Sequence, residues 1–447
     1  MGGMVTKTSS LPLDQAAFDG IVAAQKFDVR RASIREMSGL VDAIEAEFEI
    51  RFVRMEFGIP GLPTPPVAIE AEVEALRERG VGNLYAPCEG IPVLKREASR
   101  FVRQFMDLDV PAECCIPTVG AMEGCFAGLA LAGRLRKGAR TVICLQPGFP
   151  VNRLQLRFLG LEVESIDFYD HRGDDLLRAV EQRAARGDIC AILWSSPNNP
   201  SWIVLDEHEL RGLGRICDEH RLIGIEDLAY LGMDVRKDYS VPGEPPFQPT
   251  ILRYAGNAIS VISSSKIFSY AGQRIALLVF SPDLMRRDVE ELTTYFGTTN
   301  VGRALIYGVL YPVAACVAES PQYGLTALLK AANEGRPGMF EPAREYARRA
   351  RIMKKLFLDN GFRLVYDNDR GRPLADGFYF TVAYPGIDDG ADLLLALLRY
   401  GVSAITLETT GSCRKEGLRA CVSLTGDELL PTLAERLQRF HTDRSRP

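Results

Sequence analysis

The sequence lacks the patterns that mark several broad classes of protein. Its ten cysteines include no CxxC pair and have no regular spacing, and it has only four histidines. We therefore expect no metal site and a reducing compartment, the cytoplasm. No apolar run reaches the ~18 residues that cross a membrane, and no cleavable signal is recognised, so we expect no membrane association.

Length and charge limit the remaining classes. The chain has 447 residues, 47% hydrophobic and 25% charged, as in an ordinary globular protein with two or three domains of ~150 residues. Its net charge of −5 is accompanied by no long basic block. A nucleic acid is therefore not expected as the main ligand.

Apolar runs alternate with helical stretches after residue 118. Strands separated by helices are typical of a mostly parallel, doubly wound sheet, so we predict an α/β domain. The predicted strands are Thr141–Leu145, Ile189–Trp194, Leu222–Ile225, Ala258–Ile262 and Ile275–Phe280.

The two ends of the chain differ from this pattern. Residues 1–55 are polar with weak helical periodicity and indicate an arm, whereas residues 56–324 contain the predicted large domain. Residues 325–447 combine helical stretches with one alternating strand and predict a smaller α+β domain, to which we also assign the N-terminal segment. The alternating apolar positions are Phe378, Phe380 and Val382.

Lys266 follows the predicted strand Ala258–Ile262 and lies among serines, with Arg274 a short distance along the chain. An amine held among small polar groups at the end of a buried strand can lose its proton and form a Schiff base. Hydroxyls and an arginine would suit a phosphate. Taken alone, the stretch fits a surface lysine beside a polar turn better than a reactive lysine, because short motifs have many false positives.

Other polar clusters follow the other predicted strands. Phe149 follows the strand at 141–145, Asn199 follows the strand at 189–194, and Asp227 and Tyr230 follow the strand at 222–225. In open α/β sheets the ligand lies beyond the carboxyl ends of the strands, so we expect these loops to converge on one crevice.

In this order, the motifs resemble those of the class I/II aminotransferases, a family of pyridoxal 5'-phosphate (PLP) enzymes of fold type I. The resemblance covers roughly residues 31–440. It implies a PLP-transferase fold type I large domain and PLP as the cofactor. The matching motifs are Gly58-Ile59-Pro60, Tyr85-Ala86-Pro87, Gly120-Ala121-Met122, Phe149, Asn199-Pro200, Asp227 with Tyr230, Lys266 with Arg274, and Arg419.

The resemblance implies a role for each residue around the cofactor ring. Lys266 matches the Schiff-base lysine, which also acts as the general base. Asp227 matches the acid that keeps the ring nitrogen protonated, so that the ring can accept electrons. Asn199 and Tyr230 match the hydrogen-bonding partners of the ring oxygen, and Phe149 matches the aromatic residue that stacks on the ring.

The resemblance also implies a phosphate site. Gly120, Ala121 and Met122 precede a predicted helix, whose N-terminal N–H groups would face an anion. The side chains that match phosphate ligands are Ser263 and Arg274, with Ser265 as a third candidate.

Three further residues match positions that concern the substrate and the partner. Tyr85 matches a tyrosine that reaches the phosphate of the neighbouring subunit, which implies a homodimer. Arg419 matches the arginine that binds the substrate α-carboxylate through two parallel hydrogen bonds. The backbone of Gly58 would lie near the same carboxylate.

Two features depart from the family pattern. The family often has Asn-Pro-Thr-Gly, whereas this chain has a tryptophan, Trp202, in place of the glycine. No arginine occurs between Arg287 and Arg303, where dicarboxylate-specific members carry a partner-subunit arginine. The resemblance therefore does not support a preference for aspartate or glutamate.

The activity that the resemblance implies is transfer of an amino group between an L-amino acid and a 2-oxo acid. The same loops would serve a PLP-dependent lyase, synthase or decarboxylase, so these alternatives stay open. A non-enzymatic PLP-binding regulator would need a DNA-binding segment, and the polar arm at 1–55 is too short and acidic to fit one.

Overall fold

The computed structural model describes residues 11–445, which form two compact units. Unit 1 consists of the described residues up to Gly61, the segment Pro200–Trp202 and the described residues from Glu345 onward. Unit 2 consists of Leu62–Asn199 and Ile203–Arg344. The first ten residues of the predicted arm lie outside the described residues.

The unit boundaries differ from the predicted ones, after residues 55 and 324. The helix Glu319–Asn333 runs across the second predicted boundary. It packs against Pro66–Glu78 and Pro92–Met106, two helices of unit 2. The chain therefore leaves unit 2 only after this helix has ended.

A seven-stranded sheet forms the core of unit 2. Its strands are β1 (Cys115–Thr118), β2 (Thr141–Gln146), β3 (Glu162–Asp167), β4 (Ile189–Ser195), β5 (Ile223–Leu228), β6 (Ala258–Ser263) and β7 (Ala276–Phe280). The strand order is β1-β7-β6-β5-β4-β2-β3. The strands from β6 to β3 are parallel, and β7 runs antiparallel to both of its neighbours, β6 and β1. Every residue of β2, β4, β5 and β6 is buried, as expected for strands covered on both faces. The predicted α/β fold is confirmed.

Helices connect most of the strands and complete both units. Among residues 11–445, no helix is both long and apolar enough to span a membrane. The α-helices are α1 (Gln15–Ala23), α2 (Ile34–Phe48), α3 (Pro66–Glu78), α4 (Pro92–Met106), α5 (Gly120–Ala132), α6 (Pro150–Phe158), α7 (Asp174–Ala184), α8 (Glu207–His220), α9 (Pro282–Arg286), α10 (Glu291–Phe296), α11 (Val301–Arg303), α12 (Tyr311–Ala314), α13 (Glu319–Asn333), α14 (Glu341–Asp359), α15 (Gly390–Leu398) and α16 (Leu430–Arg444), with a π-helix at Ala304–Leu310.

Unit 1 contains an antiparallel sheet and the N-terminal helices. Its strands are β8 (Arg363–Leu364), β9 (Asn368–Asp369), β10 (Arg372–Pro373), β11 (Tyr379–Ala383), β12 (Ile405–Thr406) and β13 (Leu418–Cys421). Four of them form a sheet in the order β12-β13-β11-β8. Ser33 and Glu36 form a capping box that begins α2, which buries Met37, Leu40, Val41 and Ile44.

In unit 2, two strands were not predicted, and β5 extends three residues beyond its predicted end. Strand β1 is only four residues long, and β3 has three exposed residues and only one buried residue, so neither gives a strong apolar pattern. Strand β5 continues beyond Ile225 to Leu228. Glu226 and Asp227 therefore lie within a strand and not, as predicted, in the loop after it.

Candidate active site

Four parallel strands of unit 2 end along one edge of the sheet. Phe149, Asn199 and Lys266 lie in the segments directly after β2, β4 and β6. Asp227 lies near the end of β5, with its Cα in register with those of Ser195 in β4 and Val261 in β6. This topology therefore places four of the predicted residues at the carboxyl edge of one sheet.

Asp227 is a buried carboxyl group with a perturbed pKa. Burial raises the pKa of Asp227 to about 7, and the Ala229 N–H group and the positive charge of Lys266 oppose this rise. The Ala229 N–H donates to Asp227 Oδ1 at 3.0 Å. Asp227 is thus a carboxyl group whose negative charge depends on a nearby positive charge.

The loop after β6 is closed by its own serines. Ser265 N–H donates to Ser263 Oγ at 3.1 Å, and Ser264 Oγ donates to Ile275 O at 2.6 Å. Ser263 and Ser265 are buried, whereas Lys266 is half-buried. These bonds hold Lys266 in a turn at the strand end, which is a better site for a reactive amine than a solvated surface.

Gly120 and Arg274 lie in contact at the N-terminus of α5. Gly120 has φ +71°, and a Cβ atom there would lie 2.5 Å from Arg274 Nη2. Arg274 also has positive φ, and its Nη1 donates to Ala271 O at 2.8 Å. A guanidinium group beside a helix N-terminus is a favourable place for an anion.

The two residues after Gly120 differ in exposure. Ala121 is half-buried, and Met122 is exposed. Gln155 Nε2 donates to Met122 O at 2.8 Å, so α6 supports the first turn of α5. Glu123 accepts a hydrogen bond from Val119 N–H at the start of the same helix. Sequence reasoning did not identify Gln155 or Glu123, because neither belongs to a motif.

The loops after β2 and β4 are bonded to each other. Asn198 Nδ2 donates to Pro147 O at 2.9 Å and to Ser195 Oγ at 3.3 Å. Asn199 is buried, and its backbone N–H also donates to Ser195 Oγ, at 3.3 Å. Ser195 and Asn198 therefore fix the loop that carries Asn199, a role that the sequence did not reveal.

Tyr230 and Phe149 are the other two residues of unit 2 that are predicted to contact the cofactor ring. Tyr230 is buried in the turn after β5, and its carbonyl accepts from Met233 N–H at 3.0 Å. Phe149 is the half-buried residue that immediately precedes α6. Both residues follow strand ends, as the sequence predicts.

Tyr85 differs from the buried residues Asp227, Asn199 and Tyr230 in its exposure to solvent. Its side chain is 90% exposed, so it makes little contact with its own chain. Other exposed apolar side chains of unit 2 include Leu84, its neighbour in sequence, and Ile69, Val73 and Leu76 of α3.

In unit 1, the structure brings Arg419 and Gly58 together around Tyr379. Arg419 is 0% exposed, and its Nη2 donates to Glu56 O at 2.5 Å. Its Cζ lies 4.5 Å from the centroid of the Tyr379 ring. A Cβ atom on Gly58 would lie 2.0 Å from Tyr379 Oη, so only glycine fits there. Tyr379 is the residue of this cluster that sequence reasoning missed.

A second buried carboxyl group lies directly beside Asp227 in sequence. Glu226 points to the opposite face of the sheet because side chains alternate along a strand. Its Oε2 accepts from Thr250 Oγ1 at 2.6 Å and from Ser260 Oγ at 2.9 Å. Burial raises the pKa of Glu226 to about 7. Glu226 was also not predicted.

Two other features of unit 2 lie outside this group. A cavity of ≈ 770 Å³ is lined by Ile223 and Asn257, which lie at the opposite ends of β5 and β6 from Asp227 and Lys266. Elsewhere, the ligand atoms of Glu181, Glu219 and His220 lie within 4.8 Å of one another. Arg215 is paired with both of these carboxylates, so the cluster already holds a positive charge.

Proteins of known sequence and structure resemble this chain. A probable aspartate aminotransferase of Methanocaldococcus jannaschii is 25% identical over 59% of this chain and 64% of its own length. A valine–pyruvate aminotransferase of Mycobacterium tuberculosis is 26% identical over 60% of this chain and 64% of its own length. The chain thus spans less than two thirds of either relative.

A solved structure supports the fold over most of the chain. Aspartate aminotransferase from Thermus thermophilus with maleate has a TM-score of 0.74 at 21% identity, covering 94% of this chain and 98% of that one. The sequence model of the family described as aminotransferase class I and II matches residues 53–313. Because this match covers more than half of the sequence, the chain belongs to the class I and II aminotransferase family.

Proposed function

We propose that the protein is a PLP-dependent aminotransferase that moves an amino group between an L-amino acid and a 2-oxo acid. The observation that carries the proposal is the pair of Asp227 and Lys266, an acid and an amine that interact electrostatically at the ends of adjacent strands. Family membership and the aminotransferase names of the relatives support the same activity.

The residues present fit PLP in charge and shape. A buried carboxyl group such as Asp227 favours a cationic partner, and a protonated ring nitrogen is such a partner. A side chain at position 120 would collide with the Arg274 guanidinium. With glycine there, the N–H groups of the helix and the guanidinium can both face a phosphate. When bound, PLP supplies an aldehyde that bonds to amines and a ring that accepts electrons.

Each proposed role uses a group described above. Asp227 would hold a proton at the ring nitrogen, and Asn199 and Tyr230 would orient the ring through its oxygen. Gly120, Ala121 and Met122 would bind the phosphate through their backbone. Ser263, Ser265 and Arg274 would bind it through their side chains, and Phe149 would cover the ring.

Two residues would act on the substrate. Lys266 Nζ would hold the cofactor at rest and then carry the proton from the substrate α-carbon. Arg419 would orient the α-carboxylate, beside the backbone of Gly58. Neither role needs a second acid or base.

A single turnover without acceptor tests the activity. The loaded protein, given one amino acid, should convert its cofactor stoichiometrically to pyridoxamine phosphate and release one 2-oxo acid per site. Donors would be compared with 2-oxoglutarate and pyruvate as acceptors, and would include aspartate and valine, which occur in the names of two relatives. Continuous turnover of one amino acid with no acceptor consumed would instead establish a lyase.

We further propose that the active species is a homodimer in which Tyr85 reaches the partner's phosphate. The exposed Tyr85 and the exposed apolar residues of α3 (Ile69, Val73 and Leu76) support a contact with a second copy. Mixing inactive Lys266→Ala with inactive Tyr85→Ala subunits should partly restore activity, because one site of the heterodimer would carry neither change. Verified heterodimers without activity, or an active monomer, would contradict a site shared between subunits.

We also propose that the protein acts in the cytoplasm, and its ten free cysteines support a reducing compartment.

A further inference from the structure

Trp202 occupies a position that ordinarily suits glycine. Its φ is +64°, in the left-handed region that residues with a Cβ atom rarely adopt. Its side chain is nevertheless 1% exposed and packs within unit 1. The cost of this backbone conformation must therefore be offset by the packing of the indole ring.

The indole ring fills the space that a missing side chain leaves at Gly377. A Cβ atom on Gly377 would lie 2.0 Å from Cε2 and 2.2 Å from Cζ2 of Trp202. No residue other than glycine can occupy position 377 while the ring is there. Trp202 and Gly377 are thus a matched large and small pair.

The same indole contacts the ring that supports Arg419. The rings of Trp202 and Tyr379 lie 6.3 Å apart at an interplanar angle of 70°, an edge-to-face contact. The face of Tyr379 in turn lies 4.5 Å from the guanidinium carbon of Arg419. The contact with the Tyr379 ring and the hydrogen bond to Glu56 O both restrain the guanidinium.

We propose that Trp202 is a positioning residue for the carboxylate-binding Arg419, acting through Tyr379, and that Gly377 is its obligatory partner. The proposal rests on the proposed function, since that function assigns the substrate carboxylate to Arg419. The ligand concerned is a carboxylate, and Trp202 itself need not touch it. A tryptophan that only filled the core would affect stability without affecting carboxylate affinity.

A double-mutant cycle separates these two roles. Trp202→Gly and Gly377→Ala should each raise KM for the amino donor between about tenfold and 10²-fold, because a misplaced binding group has effects of this order. In the double variant the clash at position 377 is gone but the indole that contacts Tyr379 is still missing, so its KM should match that of Trp202→Gly alone. Values of kcat and cofactor retention should change little in all three proteins.

The cycle has controls for folding and for tryptophan loss. Trp194→Phe removes the other tryptophan, which is buried in β4 of unit 2, and should leave KM unchanged. If a glycine or alanine variant fails to fold, Trp202→Phe keeps an aromatic contact and should raise KM by a smaller factor. The proposal would be overturned if KM were unchanged in the single variants. It would also be overturned if the KM increase of the double variant equalled the product of the two single increases.

A second measurement does not depend on turnover. The chain has two tryptophans, so Trp194→Phe leaves Trp202 as the sole tryptophan, whose emission can be excited apart from that of tyrosine. Propionate should change its emission saturably, uncharged propionamide should not, and Arg419→Met should abolish the response. Emission that ignores propionate would overturn the inference. A saturable response in a protein that transfers no amino group would overturn the proposed function alone.

Discussion

The candidate cofactor residues of unit 2 and the candidate carboxylate residues of unit 1 are held by different kinds of structure. In unit 2, Lys266 and Asn199 lie in loops at strand ends, and neighbouring serines fix these loops by hydrogen bonds to the main chain. In unit 1, Arg419 lies inside strand β13 and is held by the ring of Tyr379 and a main-chain carbonyl.

This difference explains which features the sequence reveals. A loop at a strand end carries its functional residues close together in the chain, so a short motif records them. A side chain held by packing depends on residues that are distant in sequence, as Trp202, Tyr379 and Arg419 are. The following changes test whether the two regions also separate in function, with unit 2 serving the cofactor and unit 1 the substrate.

The largest effect is expected at Lys266. Lys266→Ala should lower kcat by at least about 10²–10⁴-fold, the usual contribution of a general base. Borohydride should fix the cofactor on Lys266 of the parent protein, as located by mass spectrometry of peptides. Lys237→Ala, an exposed lysine of the same unit, is the control and should behave as the parent. A cofactor fixed to another lysine would remove Lys266 from the proposed site.

A smaller effect is expected at Asp227. Asp227→Asn loses a charged hydrogen-bond partner worth about 1.5–3 kcal/mol, so α-proton exchange should slow by roughly 10- to 150-fold. The matched control is Glu226→Gln, one residue away on the other face of the sheet, which should exchange at the parent rate. Equal slowing in both variants would show that burial in β5, and not the position of Asp227, matters.

The comparison of the two units is most direct in their arginines. Arg419→Lys should raise KM for the amino donor by about tenfold while the dissociation constant of the cofactor stays unchanged. Arg274→Lys should weaken cofactor binding and leave KM of the fully loaded protein near the parent value. Steady-state kinetics and cofactor titration measure the two quantities. The functional division between the units fails if each change affects both quantities equally.

The smallest catalytic effect, but a distinct pH effect, is expected at Glu226. Burial raises its pKa from 4.5 to about 7, so the folded chain keeps a proton that the unfolded chain has released. Its contribution to stability is full below pH 4.5 and is lost as the pH rises through about 7. Glu226→Gln should therefore flatten the decline of unfolding temperature between these pH values.

Glu345→Gln is the control of opposite sign. Hydrogen bonds from Arg348 lower the pKa of Glu345 to about 2, so its contribution is present above pH 4.5 and is lost in acid. This variant should lose stability relative to the parent at neutral pH and converge with it near pH 2. If both variants change the pH profile in the same direction, the assignment of Glu226 is wrong.

Much of the fold could be predicted because buried parallel strands are continuous apolar runs. All five predicted strands of unit 2 are present, whereas the short β1 and the exposed edge strand β3 were missed. Unit 2 ends at Arg344 and not at residue 324, and the sequence of α13 has no signal that tells which unit this helix packs in.

The site in unit 1 was harder to predict because strand β11 is buried on both faces. The alternation at Phe378, Phe380 and Val382 draws attention to one face, but Tyr379, between two of these positions, is the residue that supports Arg419. Gly377 likewise has no local signal, since its need for glycine comes from the ring of Trp202.

The discontinuity of unit 1 has a consequence for synthesis on the ribosome. Leu13 N–H donates to Arg399 O, and Val53 pairs with Val402, so the N-terminal segment is bonded to residues near the other end of the chain. At about 5–20 residues per second, these partners emerge many seconds after α1 and α2. All of unit 2 is synthesised before them. The nascent chain must therefore keep the N-terminal segment without these partners until residues 399–402 have been synthesised.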